Sequence, residues 1–359
     1  MIIVKSFSES CRKEWDVFAL GSPSSSLFHL TGWKDAVETV FGHKPHYIMA
    51  ERDGKITGIL PLFEVKSRLF GHALTSVPFG VYGGISAQDA ESHRVLERSA
   101  RILAEAIGVN YLELRDVDSP GATEEANGAE EIPAGMNKDG WISKGLYVTF
   151  KKPILETVDT NFEAIPRKQR RMIRQGMKLD LTSRVGRLED LEEFYRIYAR
   201  NVRDLGSPVF PISFFRTLMK NFGDSFILSV WKGGEMVAGV LTFIYKDTLM
   251  PYYGGGLREY FEFAINDFMY WELLKWGCEN GYRVFDFGRS KKDTGSYHFK
   301  RHWGFEPAEL DYRYYLVRSK EMPNVSPVNP KYRLFVNLWK RLPFPVANWL
   351  GPKLVRGIP

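Results

Sequence analysis

Cysteine is almost missing from this chain: Cys11 and Cys278 are the two in 359 residues, and neither has a partner at metal-ligand spacing. That excludes a disulfide framework and a thiolate metal site, and it fits a reducing compartment. Long apolar runs are missing too. None approaches the length that spans a bilayer, and the opening MIIVKSFSESCRKEWD lacks a signal-peptide apolar core. The expectation is a cytoplasmic protein. His298 and His302 stand four apart in YHFKRH without a third ligand, and Pro45 interrupts His43 and His46, so no metal is expected. Charge of one sign is not in large excess: 49 basic residues face 43 acidic ones, a net of +6. This favours anionic partners and leaves phosphate substrates, RNA and acidic lipid all open.

What is present is ordinary globular composition, 44% hydrophobic and 26% charged, in a chain long enough for two domains. Helices are expected at Ser10 to Leu20 and Trp33 to Phe41. A hairpin is expected around Asp53-Gly54, the dipeptide of tight turns. LTSVPFGVYGGI then reads as a buried strand ending in Gly83-Gly84. Residues 93 to 107 place Val95, Ile102, Leu103 and Ala106 on one helical face, interrupted by Ser99, and YLELRD follows as a strand.

The same order returns later. FILSVWKGGEMVAGVLTFIY is a hairpin turning at Gly233-Gly234, MPYYGGG a glycine-ended strand, DFMYWELLKWG a helix and VFDFGRS a strand. Leu112 to Leu114 match Phe285 to Phe287, and Gly58 matches Gly239 at nearly the same separation, which argues for duplication of one α/β unit. Strands ending in Gly254 to Gly256 and in Gly288-Arg289-Ser290 are expected to bare backbone to a ligand. ATEEANGAEEIPAGMNKDG is acidic and poor in apolar residues, an exposed loop. IPRKQRRMIRQGMK carries Arg167, Lys168, Arg170, Arg171, Arg174 and Lys178 on one helix, which either binds phosphates or is a solvated bridge. In the tail, Leu334, Phe335, Leu338 and Trp339 share a helical face beside Lys331, Arg333, Lys340 and Arg341. It either lies on an anionic membrane or packs back on the domain.

RKQRRMIRQGMK, LEDLEEFYRIYARNVRDLGSPVFPISFFRTL, the glycine-ended strand, DFMYWELLKWGCENG, FDFGRS and GSYHFKRHWGF, in that order, resemble the Fem-type aminoacyltransferases that build peptidoglycan cross-bridges. The resemblance spans most of residues 25 to 315. Its nearest flavour is the Fem-related proteins of exosortase and exopolysaccharide loci. It implies an α/β (mixed α+β) fold of two tandem GNAT-like domains, each a mixed twisted sheet flanked by helices. The expected division is 1–155 (acceptor side), 156–180 as a basic connecting helix, 181–320 as the domain of the transfer site, and 321–359 as the tail.

The resemblance implies acyl or aminoacyl transfer to an amino group of a cell-envelope precursor. The donor co-substrate would be aminoacyl-tRNA or acyl-CoA, with no permanently bound cofactor. The partners would be that precursor, tRNA, and an anionic membrane surface reached from the inner face. Two departures matter. Neither GGISAQDAESHRV nor GGGLREYFEFAIND holds the Gln/Arg-x-x-Gly-x-Gly/Ala turn that grips pyrophosphate in acetyl-CoA-dependent enzymes. VPFGVYGG lacks the carboxylate expected for a nucleotide-linked muropeptide acceptor. The first departure weakens acetyl-CoA as donor and the second the usual muropeptide acceptor; the competing readings are an acyl-CoA-dependent N-acetyltransferase acting on an amino sugar and a non-catalytic precursor-binding protein, which both departures permit.

Acyl transfer needs a deprotonated amine, a stabilised oxyanion and aligned reactants. Arg289 and Lys300 are the candidates for phosphate or oxyanion binding, or else surface charges beside a strand end. Tyr253 and Tyr297 either donate to substrate or are core aromatics, and Asp286 is either a base or an inward carboxylate satisfied by backbone. Gly254, Gly255 and Ser290 would contact substrate, and Arg170 and Arg171 the donor's phosphates. By the resemblance alone, Trp33, Tyr82 and Gly83 would line an acceptor cleft beside Pro78 and Phe79, which the core reading equally fits.

Overall fold

The computed structural model describes residues 1–67, 70–116, 140–322 and 330–358, without the side chains of 330–333. The acidic stretch ATEEANGAEEIPAGMNKDG lies, apart from its last residue, outside them. The chain divides into two compact units: Met1–Tyr147 with Glu309–Pro323 and Gly357–Pro359, and Val148–Ala308 with Asn324–Arg356.

The first unit holds two sheets. One runs in the order Ile2–Ser6, Ile48–Arg52, Lys55–Leu60, Ser86–Ala87. The hairpin turns where expected, with Asp53 and Gly54 both at positive φ, as the tight mirror-image turn requires. The other runs Lys44–Pro45, Phe63–Ser67, Gly71–Thr75, Tyr111–Asp116, Asp311–Leu316, Trp141–Ser143. Gly71–Thr75 and Tyr111–Asp116 are parallel, and helix Ala90–Ile107 makes the crossover between them. That helix buries Leu96, Ala100 and Ala104, not the larger residues of the expected face, and Ile102 is exposed. Small residues let it close onto the sheet: a Cβ on Gly58 would stand 2.8 Å from Leu96 Cδ1.

The expected strand LTSVPFGVYGGI stops at Thr75. Residues 76 to 85 form a tied loop instead. Val77 and Phe79 sit at φ 51° and 66°, a region a β-branched residue occupies only when its surroundings force it.

The second unit is one sheet in the order Thr182–Gly186, Phe226–Lys232, Glu235–Tyr245, Thr248–Gly256, Val284–Asp286, Tyr147–Pro153, Ser290–Lys291, with Pro307–Glu309 also on Tyr147–Pro153. Thr248–Gly256 and Val284–Asp286 run parallel, joined through helix Ile265–Glu279. Hairpin, strand, helix and parallel strand thus recur in both units. A register shift follows the pair Ala50 and Gly58 in one hairpin and the pair Val230 and Ala238 in the other, so the counterpart of Gly58 is Ala238, one residue from the expected Gly239.

Two boundaries differ from expectation, and the tail takes one of its two expected courses. Strand Asp311–Leu316 pairs with Tyr111–Asp116 in the first unit, outside the expected 181–320 domain. Helix Arg167–Lys178 is a layer of the second unit, not a bridge: it buries Gln169, Ile173 and Gly176, and a Cβ on Gly176 would meet Phe268 Cβ at 3.0 Å. The tail forms helices Pro330–Arg341 and Phe344–Val355, which pack against helix Leu191–Leu205. Gly351 lies flush on Val209 backbone, and Arg203 Nη1 donates to Leu342 O at 3.0 Å.

Candidate active site

Parallel strands Thr248–Gly256 and Val284–Asp286 pair only at Thr248 with Val284 and Leu249 with Phe285. Beyond that they part. Thr248–Gly256 stays on the neighbouring hairpin strand as far as Gly256, while Phe287 N turns away to donate to Phe150 O at 2.9 Å. Phe287 to Ser290 therefore face Pro251 to Gly256 across a wedge unpaired in backbone, where a ligand can hydrogen-bond to exposed strand backbone. The wedge closes at one end into the parallel pair.

Lys300 fixes the far side of this wedge. Helix Gly295–His302 buries its ammonium, which donates to Phe287 O (2.7 Å), Gly288 O (3.0 Å) and Arg289 O (3.1 Å). An ammonium has three hydrogens, and three carbonyls take them. Expected as an oxyanion or phosphate binder, Lys300 instead holds the turn that presents Arg289 and Ser290. Burial lowers its pKa to about 7, Asp286 pulls it back up and Arg289 pushes it down.

Asp286, a candidate base, is spent on the same turn. Its Oδ1 accepts from Gly288 N at 2.7 Å, and Lys151 Nζ lies 3.6 Å from Oδ2. Arg289 is half-buried at the turn, and Ser290 is buried with an Oγ that has no hydrogen-bond partner. Tyr297 caps onto Thr294 Oγ1 through its backbone N and packs its ring on Phe150.

On the near side, the glycines do less for a ligand than expected. Gly255 and Gly256 are buried because helices approach: their Cβ positions lie 3.2 Å from Tyr198 Cα and 2.9 Å from Ile265 Cδ1. Gly254 is half-buried, with its Cβ position 2.9 Å from Tyr270 Oη. Tyr253 points into an aromatic cluster of Tyr198, Phe210 and Phe215, its hydroxyl buried and unpartnered.

Asp267 was missed. It stands in the first turn of helix Ile265–Glu279 and is only 9% exposed, with Oδ1 accepting from Trp303 Nε1 at 3.0 Å. Burial raises its pKa to about 6, against hydrogen bonds from Trp303 and Gln169 that lower it. Trp303 also packs edge-on against Phe287 and Tyr270, so this carboxyl sits behind the wedge. The only sequence signal was an acidic residue at a helix start.

Arg170 is half-buried with an unpartnered Nε, whereas Arg171 is exposed. Arg167, Arg171, Arg174 and Lys178 recur every three or four residues on the face opposite Ile173 and Gly176. They make a stripe of cations towards solvent.

In the first unit, Trp33 is fully buried and Tyr82 is 2% exposed, so both are core residues and not cleft lining as expected. Trp33 Nε1 donates to Pro78 O, and a Cβ on Gly83 would overlap Val77. Sequence reasoning also missed the buried ion network beneath this loop. Arg115 donates through Nε to Glu113 and through Nη1 to Val77 O and Gly80 O, while Arg313 pairs with Asp116 and Glu97. A cleft of about 1060 Å³ in this unit, lined by Lys5, Lys13, Glu14, Glu51 and Lys55 among others, carries mixed surface charge, and none of the wedge residues lines it. Among the described residues no group of His, Cys, Asp or Glu could hold a metal.

Residues 163–301, less than half of the chain, match the family described as Acetyltransferase (GNAT) domain. No curated protein matches. The crystal structure of FemX is similar at 18% identity, covering 93% of this chain and 100% of that one, with a TM-score of 0.66. L-PGS from Bacillus licheniformis is similar at 14% identity over 92% and 97% of the two chains, with a TM-score of 0.54. A tandem GNAT protein from the clavulanic acid biosynthesis pathway is similar at 11% identity over 88% and 98%, with a TM-score of 0.54. At these identities the likeness shows the fold. The chain thus carries an acyltransferase domain of the GNAT type at residues 163–301, in a fold like that of these tandem-domain structures.

Proposed function

We propose that this chain transfers an aminoacyl group from aminoacyl-tRNA to an amino group of a cell-envelope precursor, a peptidoglycan or exopolysaccharide intermediate. The observation that carries the reading is the wedge between Pro251–Gly256 and Phe287–Ser290, on one side a turn locked by Lys300 in which the buried Ser290 hydroxyl has no hydrogen-bond partner. In the reaction the acceptor amine attacks the ester carbonyl, a C–N bond forms, and the C–O bond to the donor breaks. The amine's extra proton leaves, and the alkoxide of the departing ribose takes one up. Arg289 is the group for the developing oxyanion or a donor phosphate, since Lys300 has no hydrogen left to give. Asp267, its pKa raised by burial to about 6, is held by Trp303 behind the wedge and is mostly a carboxylate at neutral pH.

Two features favour tRNA over acyl-CoA. The stripe Arg167, Arg171, Arg174 and Lys178 offers regularly spaced cations to a phosphate backbone. Helix Ile265–Glu279, the one whose N-terminus would hold a pyrophosphate, carries Asp267 in its first turn, where a carboxylate takes up the dipole a phosphate would need. A panel of radiolabelled aminoacyl-tRNAs and acyl-CoAs with amino-sugar and muropeptide acceptors tests this. Transfer from aminoacyl-tRNA, reduced about a hundredfold or more in kcat by Arg289→Ala, is the expected result. Transfer from acyl-CoA alone removes the tRNA reading, and tight acceptor binding without turnover from any donor makes the chain a binding protein.

A further inference from the structure

The net charge of this chain is not spread over it. From Met322 to Pro359 there are six basic residues, Lys331, Arg333, Lys340, Arg341, Lys353 and Arg356, and no acidic one, so this segment accounts for the whole +6. The preceding 321 residues are balanced. The same segment supplies much of the exposed bulky apolar surface of the second unit: Leu334 is 62% exposed, Leu338 56% and Trp349 63%, with Phe335 and Val346 also exposed.

Both helices of the segment are two-faced. In Phe344–Val355, Ala347, Gly351 and Val355 are buried at spacings of four, while Val346, Trp349 and Lys353 stand on the opposite side. In Pro330–Arg341, Trp339 is buried and Val336 packs at Gly206, whereas Leu334, Leu338 and Arg341 face out. Next to Gly206, Leu205 is exposed as well. Lys353 Nζ lies 3.4 Å above the Trp349 ring, keeping a cation at the level of an outward indole. An apolar face studded with Trp and Leu and ringed by cations suits the boundary between acyl chains and anionic headgroups. RNA would use the charges but leave Leu334, Leu338 and Trp349 in water. Among the described residues no helix is long and apolar enough to cross a membrane, so the contact is with its surface.

We propose that helices Pro330–Arg341 and Phe344–Val355 are a lipid-surface anchor, fixed by their inner faces to the second unit and seated by Leu334, Leu338, Val346 and Trp349 in an anionic leaflet. The anchor is rigidly coupled to the candidate site. Helix Leu191–Leu205, on which both tail helices pack, also presses Tyr198 and Asn201 onto Gly255 of the wedge strand. Anchoring would hold the wedge at a fixed height over the bilayer, within reach of a lipid-linked acceptor.

The test is co-flotation of the full chain with vesicles, which needs no substrate and stands whatever the donor proves to be. Binding to phosphatidylglycerol-containing vesicles and none to phosphatidylcholine alone is expected. Arg341→Ser with Lys353→Ser should lower partitioning about 25-fold at low salt, by about fivefold per charge. Leu338→Glu with Trp349→Glu should abolish flotation while leaving the thermal melt unchanged, since both side chains are exposed. Equal flotation of the Glu variant overturns the proposal. So does a concentration-dependent dimer that the Glu variant dissolves, which assigns the face to a second copy.

Discussion

At the scale of single residues, the site turns on which polar groups are already used. Arg289 and Lys300 meet at one turn, a proximity legible in the sequence because a strand end and a following short helix are local patterns. Their roles were not legible there. Whether an ammonium is free or spent depends on where three carbonyls point, and Phe287, Gly288 and Arg289 turn theirs onto Lys300. Asp267 was illegible for a related reason: its burial is made by Trp303, far along the chain. Its folded pKa of about 6 lies above the ordinary carboxyl value of 3.8, so between those values the folded chain keeps a proton that the unfolded chain has lost. Stability from this group is therefore full below 3.8 and declines as pH rises through about 6. Asp267→Asn removes that dependence. Urea unfolding at a series of pH values between 4 and 7 should show the variant gaining on the parent as pH rises, by on the order of 2–3 kcal/mol at the upper end. Parallel curves would show that Asp267 is not buried as a strained carboxyl.

At the scale of elements, hairpins and helices were legible because their turns carry Asp53-Gly54 and Gly233-Gly234 and their lengths follow apolar periodicity. Two elements were misread. Helix Ala90–Ile107 turns its alanines inward, since close helix–sheet approach rewards small residues that a hydrophobicity pattern ranks low. The stretch after Thr75 has strand composition, yet its backbone groups find partners outside a regular ladder: Gly83 N and Gly84 N both donate to Arg115 O, Ile85 N to Asp116 Oδ1, and Tyr312 Oη to Val81 O. Once such long-range partners satisfy a backbone, it need not be a strand. The glycines here serve packing. A Cβ on Gly84 would lie 1.8 Å from Asp116 Oδ1 and 2.9 Å from Asp116 Cα, so relief requires moving backbone beside the buried pair of Asp116 with Arg313. Gly84→Ala should cost about 3–5 kcal/mol, the range for breaking a buried ion pair, and lower Tm sharply. Gly223→Ala, where nothing lies within 4 Å of the added Cβ, serves as the control for the methyl alone, and a Gly84 variant melting within a degree or two of it would mean that the loop is loose.

At the scale of the whole molecule, duplication was legible from element order, but the cut points were not, because a strand's sheet is a long-range property. Tyr147–Pro153 sits between Val284–Asp286 and Ser290–Lys291 in the second unit's sheet. Asp311–Leu316 sits between Tyr111–Asp116 and Trp141–Ser143 in the first, anchored by Arg313 on Asp116 and Glu97. The first unit is thus discontinuous in sequence, and the interval 181–320 takes a strand that belongs elsewhere while omitting one of its own. A fragment of 181–320 would expose the edge of Val284–Asp286, lose the helices Val158–Glu163 and Arg167–Lys178 that cover helix Ile265–Glu279, and carry Tyr312, Tyr314 and Tyr315 without their sheet. Open edges and exposed aromatics of this kind drive association. Expressed alone, 181–320 should aggregate and show no cooperative melt, whereas residues 148–308 joined to 324–356 by a short glycine-rich linker should melt cooperatively. A sharp, reversible transition for 181–320 would mean that the strand Tyr147–Pro153 is dispensable and that the unit boundaries lie where periodicity alone had placed them.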